Sequence, residues 1–357
     1  MNTPILNLPH TRPLIAKNNR NGGLLPKKVA ILYTEEKREY FYTDEQFWTV
    51  EGSKKEAMDF EPYFKKLGIK TCYIAGNANM ARNLQKEKPD MAINLVTTVK
   101  GYDYLGATVP STLELLEIPY TGASILGFAI GCNKHLVYTL LQSHGIDVPP
   151  FQLMASSTTP LDPTLKFPLI LKLNEEHSNV EITRESVVEN EQQLRKRLRY
   201  LINKYEQDVL VSEFIDGREF ACFIFQALNK KVYTIERQIH LPNNNTKHEF
   251  LDYDLCWGDQ STNPDHLKYA KYNDPLLNAI AKKAFEVAKM ASYGKLDIRM
   301  DKNGKYYVID ANANCHFGPP EWLCEMTVTM KNQGVPFKEL LKRLLQNTMR
   351  EWGYCLS

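Results

Sequence analysis

The 357-residue sequence has no apolar run approaching the roughly 18 residues that a membrane-spanning helix needs. Its first residues mix Pro, Asn, Arg and Lys where a secretory leader would carry an apolar stretch. Net charge is lacking too: 44 Lys and Arg against 42 Asp and Glu leave a formal +2, with no long basic block. Such a balance gives no support to nucleic acid or a membrane surface as the main partner, and favours small molecules. The seven cysteines (Cys72, Cys132, Cys222, Cys256, Cys315, Cys324 and Cys355) form no C-x-x-C pair and no metal-ligand spacing. An odd, scattered set fits reduced thiols in the cytoplasm. Internal repeats and low-complexity tracts are absent as well.

What is present is ordinary globular composition, 43% hydrophobic and 24% charged, at a length that predicts two or three subdomains. Residues 1–27 read as an extension. From Lys28 the pattern becomes regular: Val29–Tyr33, Ile69–Ile74 and Asp90–Val96 read as buried strands, and Met58–Leu67 and Val109–Leu116 as helices between and after them. Strands alternating with helices predict a doubly wound parallel sheet over residues 28–125. Beyond it, Asn133–His144 carries Leu136, Val137, Leu140 and Leu141 at helical spacing, with Gly145 placed to stop the helix. Pro168–Lys172, Asp208–Val211, Phe220–Ala227 and Lys231–Glu236 have strand character and predict antiparallel sheets covered by helices. Pro242–Tyr272 is polar and irregular, as functional lids are. A helix is expected over Pro275–Ser292. The fold class is therefore α/β: a parallel-sheet domain followed by two α+β subdomains.

The segment Lys295–Asn312 carries the chemistry. Its Asn303-Gly304 pair is a strong hairpin signal, and a two-residue turn there sets Asp297 opposite Asp310. Side chains alternate along a strand, so Leu296, Ile298 and Met300 form an apolar face while Lys295, Asp297, Arg299, Asp310 and Asn312 share the other. Two carboxylates across a ladder repel each other, and a bound cation removes that cost. Carboxylate and amide oxygens are hard ligands of the kind magnesium takes, its shell being completed by water and phosphate. The ordinary alternative is a solvated acidic face.

Several landmarks occur in order along residues 28 to about 345: Ile118-Pro-Tyr-Thr-Gly122, Asn133-Lys134, Pro168-Leu-Ile-Leu-Lys172, Val209-Leu-Val-Ser-Glu-Phe-Ile-Asp-Gly-Arg-Glu219, and the hairpin itself. Together they resemble the D-alanine–D-alanine ligase branch of the ATP-grasp superfamily. The resemblance implies an ATP-grasp fold, with a small lid subdomain over residues 126–210 and a metal-bearing subdomain over 211–350. It also implies an ATP-dependent carbon–nitrogen ligase that joins a carboxylate to an amine through an acylphosphate. Lys134 and Lys172 would meet the nucleotide phosphates, Glu213 and the Ile215 backbone the adenine, and Glu219 the ribose. Asp297, Asp310 and Asn312 would hold magnesium, two ions or manganese in their place. Lys295 stands where the family carries an arginine near the transferring phosphoryl group, with the charge kept and the bidentate fork lost. A homodimer through the first domain fits the family.

Departures from the pattern concern the substrates. In Leu173–Ile182, Ser178 matches a substrate-side serine, but flanking glycines have become His177 and Glu181. The lid has Cys256 and Trp257 in place of a lysine and a tyrosine, which makes Trp257, with Arg299, a candidate substrate contact. Aligned without gaps, the loop after the hairpin sets His316, a candidate base for the amine, at a glycine. It sets Glu321 at a carboxylate-binding serine. A glutamate there would repel an amino-acid carboxylate, so the expected acceptor is an amine or a basic amino acid. D-alanyl-D-alanine synthesis and a catalytically silent ATP-binding scaffold remain the alternatives.

Overall fold

The computed structural model of the chain describes residues 25–226, 230–240, 247–258, 266–322 and 324–353. Most of the expected extension, residues 1–24, lies outside them. The first sheet is parallel, with β1 (Lys28–Tyr33), β2 (Lys70–Ala75), β3 (Met91–Asn94) and β4 (Tyr120–Thr121) in the order β2-β1-β3-β4. The helical run expected from Met58 is broken into Ser53–Asp59 and Glu61–Lys65. The cause is Pro62, which is tolerated only in the first turn and therefore starts a new helix.

Two antiparallel sheets follow. One, ordered β5-β8-β6-β7, contains β5 (Phe151–Met154), β6 (Leu169–Leu173), β7 (Val187–Val188) and β8 (Val209–Glu213). The other contains β9 (Gly217–Phe225), β10 (Lys231–Ile239), β11 (Leu267–Tyr272), β12 (Tyr293–Asp301) and β13 (Tyr306–Asn312), ordered β11-β10-β9-β12-β13. The stretch expected to be irregular up to Tyr272 thus ends in an edge strand, where Leu267–Tyr272 pairs with the half of β10 that ends at Ile239. The helix from Pro275 stops at Val287, sooner than its apolar periodicity suggests, and Lys289 enters the left-handed region at φ 55°.

Asp297 does face Asp310, by a route the sequence did not show. The turn holds three residues, with Asp301 and Lys305 bonded across it and Gly304 at φ 82°. That shifts the pairing by one, and a bulge at Ile309 shifts it back. Apolar residues of β12 enter a core with Phe220, Cys222 and Phe285. The helix Phe337–Glu351 folds back on the first sheet, where Leu341 and Leu345 are fully buried near Val29, Ile31 and Met91. Each such side chain contributes about 1.5–3 kcal/mol, so the end of the chain anchors its beginning.

Candidate active site

A cleft opens between the two antiparallel sheets. One end is apolar: Ile170, Ile182, Phe214 and Phe250 pack together, and Ile215 and Glu213 stand beside them. The other end is ionic. Lys172 on β6 and Lys134 at the start of the helix Lys134–Ser143 both line it, opposite Asp310 on β13. Lys172 donates to the Ile309 carbonyl at 3.1 Å, and Lys134 donates to the Glu176 carbonyl. Burial pushes the Lys172 ammonium down, while Asp310 draws it up. Burial likewise pushes the Asp310 carboxyl up, but Lys134, Lys172, His177 and Lys295 outweigh it and hold it at about 2. His177 and Lys295 are paired with carboxylates of their own, whereas Lys134 and Lys172 bond to backbone carbonyls, which leaves two charges suited to a polyanionic ligand.

Strand register builds the second cluster. Arg237, Glu219 and Arg299 are neighbours across β10, β9 and β12, so their side chains rise from one face. Glu219 accepts from Arg237 and from Arg299, each at 2.8 Å. Arg237 also reaches Asp297 at 2.6 Å and takes both oxygens of Glu325 at 2.5 and 2.7 Å. Lys295 lies 3.2 Å from Asp297 and 3.4 Å from Glu325. Burial alone would raise the Glu325 carboxyl, yet Arg237 and Lys295 bring it down to about 2. Arg299 is largely engaged, since besides Glu219 it donates to the carbonyls of Gly217 and Glu249. It positions Glu219 and offers little to a substrate.

The Asn312 amide nitrogen lies 3.2 Å from Asp297 and 3.4 Å from Asp310, so two carboxylates and one amide converge. Among the described residues no group of three or more carboxylates, thiols or imidazoles gathers as a metal site. A donor set of this size suits a hard cation that keeps water and phosphate oxygens in its shell, with the amide turned to present its oxygen. The residues therefore fit magnesium.

Above the cleft, the loop expected to have lost its glycines keeps a glycine-like backbone. Ser178, Asn179 and Glu181 have φ of 58°, 58° and 61°. Each costs about 1 kcal/mol or more for a residue with a Cβ. His177 is held at both ring nitrogens, by Asp103 at 2.6 Å and the Gly131 carbonyl at 3.0 Å. Two acceptors require two N–H groups, so the ring is an imidazolium; burial opposes the charge and Asp103 sustains it. Glu176, raised by burial to about 7, meets Gln46 at 2.7 Å. Trp257 donates to the Ser178 carbonyl at 2.8 Å, which lays the lid helix Tyr253–Trp257 on the loop. Ser178 lines the cleft.

Trp257, an expected substrate contact, touches the loop without lining the cleft, and two further expected site residues lie elsewhere. His316 stacks on Trp322 at 5.3 Å and stands 3.7 Å from Glu56, while Glu321 accepts from the Tyr63 hydroxyl at 2.8 Å. Neither lines the cleft. Phe317, 1% exposed between Phe60 and Phe337, pins the loop into the core and turns both residues outward, which an alignment without gaps could not register. The residues that sequence reading missed are Arg237 and Glu325. A lone arginine within the apolar alternation of Val232–Ile239 was the available signal.

The family described as D-ala D-ala ligase C-terminus matches residues 140–346, more than half of the chain. The chain belongs to that family. It is an ATP-dependent ligase with the ATP-grasp fold. D-alanine–D-alanine ligases of Halorhodospira halophila and Pseudomonas putida are 27% and 28% identical to it, over 68% and 80% of this chain and 75% and 85% of theirs. An uncharacterised protein, y4sG, of Sinorhizobium fredii is 25% identical over 70% of this chain and 75% of its own. The crystal structure of the Bacillus anthracis D-alanine–D-alanine ligase complexed with ATP superposes with a TM-score of 0.67 at 18% identity. It covers 91% of this chain and 98% of that one. Among the described residues, no helix is long and apolar enough to cross a membrane.

Proposed function

We propose that this ligase activates a small carboxylate with ATP and magnesium as an acylphosphate, and transfers the acyl group to an amine other than D-alanine. The observation that carries the reading is the meeting of Lys134 and Lys172 with Asp310 at the ionic end of a cleft whose other end is apolar. An apolar slot suits a purine, and paired lysines suit its phosphates. Magnesium, held by Asp297, Asp310 and Asn312, would supply charge neutralisation of the phosphates.

The chemistry divides into two displacements. A donor carboxylate oxygen attacks the γ-phosphorus, the bond to the β–γ bridging oxygen breaks, and ADP leaves with the electron pair. The amine nitrogen then attacks the acyl carbon, the bond to the phosphate oxygen breaks, and inorganic phosphate departs as the nitrogen loses a proton. Lys134 and Lys172 hold the nucleotide, Lys295 offsets negative charge near the acyl centre, and the Ser178 loop under Trp257 excludes water. Glu219 faces the ribose and Glu213 the base edge. A homodimer through the first sheet belongs to the same reading, and sedimentation equilibrium measures it.

The test is a panel. Purified protein with ATP and magnesium is given common amino acids and short dicarboxylates as donors, with hydroxylamine to trap an acylphosphate as its hydroxamate. Hydroxamate and ADP in equal amounts support the proposal. ADP binding without turnover across the panel would leave only a nucleotide-binding scaffold and sink it, and D-alanyl-D-alanine as the preferred product would overturn the acceptor assignment.

A further inference from the structure

An α-amino-acid acceptor brings its own carboxylate to within two bonds of the attacking nitrogen. A ligase that uses one needs a cation near the acyl centre whose hydrogen bonds are free for that group. Beside Asp297, the cleft offers Lys295 and Arg237. The Arg237 fork is the better match for a carboxylate, since its N–H pairs are preset for bidentate contact. That fork is already filled: Glu325 takes Nε and Nη2 of Arg237, and its second oxygen also faces Lys295.

Glu325 is no stray surface group. It opens the helix Glu325–Asn332, where the positive end of the helix favours an acid, and its side chain is 15% exposed. Arg237 and Lys295 keep it ionised. Among the side chains of the cluster, Arg237, Lys295 and Arg299 are each paired with Glu219, Asp297 or Glu325. A further carboxylate entering it would find no free fork and would stand beside Glu325, and like charges at short range in a buried site discriminate strongly.

We infer that Glu325 is a built-in carboxylate filling the subsite where an amino acid's carboxylate would bind, so that the acceptor is an amine lacking an α-carboxylate. The inference rests on the ligase reading above and narrows its substrate class. Glu325 is then the residue that determines specificity.

Matched acceptors that differ only in the carboxylate provide the test: cadaverine against lysine, and ethylamine against alanine. The wild-type protein should prefer each amine by about ten-fold or more in kcat/KM. In Glu325→Ala the ratio should move about ten-fold or more toward the amino acid, whatever happens to the absolute rates. Glu325→Gln, which keeps the shape and removes the charge, should move it in the same direction if the alanine variant does not fold. A wild-type preference for the amino acid of each pair, or a ratio unchanged in both variants, overturns the inference while hydroxamate formation still stands. Absence of hydroxamate with every donor removes the ligase reading, and this inference with it.

Discussion

Glu219 and Glu181 are both carboxylates sunk among cations, yet one stands on a strand and the other on a loop. Glu219 is held by Arg237 and Arg299, which reach it because three strands lie in register. Glu181 is held by Arg197 at 2.9 Å, Lys204 at 2.8 Å, and the hydroxyls of Tyr200 and Tyr205 at 2.9 Å, all four from the helix Glu191–Tyr205. In the strand cluster the backbone is relaxed and fixes where the charges point, toward the cleft. On the loop the order is reversed: four side-chain contacts hold Glu181 at φ 61°, a conformation its backbone disfavours. Charges can thus be positioned by a scaffold or can themselves do the positioning.

The sharpest way to break this contrast is Arg237→Met. It strips partners from Glu219, Asp297 and Glu325 at once, and leaving buried charge unpaired costs about 3–5 kcal/mol. Urea denaturation should show a loss of that size; a loss below about 1 kcal/mol would mean that the cluster is not cooperative. Asp310→Ala probes the ligand-facing side of the same region. Turnover should fall by roughly 10³-fold, the equivalent of several kcal/mol of transition-state charge stabilisation, with the far-UV circular dichroism spectrum retained. Full activity in that variant would remove Asp310 from the mechanism.

On the loop side, Glu181→Ala loses the anchor and keeps the strained backbone, whereas Glu181→Gly loses the anchor and relieves the strain. The alanine variant should be the less stable of the two by about 1 kcal/mol, and both less stable than the wild type. Equal stabilities would mean that strain at this position is negligible. The smallest effect concerns pH. Burial raises the Glu181 carboxyl, but Lys204, the two tyrosines and Arg197 pull it below its ordinary value. A depressed folded-state value contributes stability that is present above the unfolded carboxylate value, about pH 4.3, and is lost as pH falls through the folded value. Glu181→Gln should flatten the acid limb of a stability-against-pH curve there; an unchanged limb would place the dependence on other carboxylates.

Much of the site was legible in order along the chain. Lys172 stood where an apolar strand end gave its charge no other use, Lys134 was marked only by the family resemblance, and both line the cleft. Asp297 and Asp310 pair as expected, although a longer turn and a bulge, cancelling each other, produce the pairing. His316 and Glu321 were misplaced because their positions depended on counting through a loop, and Phe317 buries itself in a core whose members come from both ends of the chain. Arg299 was read as a substrate contact and turns out to be engaged by Glu219 and two carbonyls.

The sequence by itself determined the strand faces and the residue types at the ionic end of the cleft, because those follow from local periodicity and turn chemistry. Only the tertiary structure decided which charges neutralise one another. Glu219, Arg237, Asp297 and Glu325 lie on four elements, and Arg237 and Glu325 are 88 positions apart in sequence. No local pattern encodes such a meeting; it arises when packing of apolar faces brings strands and a helix end together and the buried ions must then find partners.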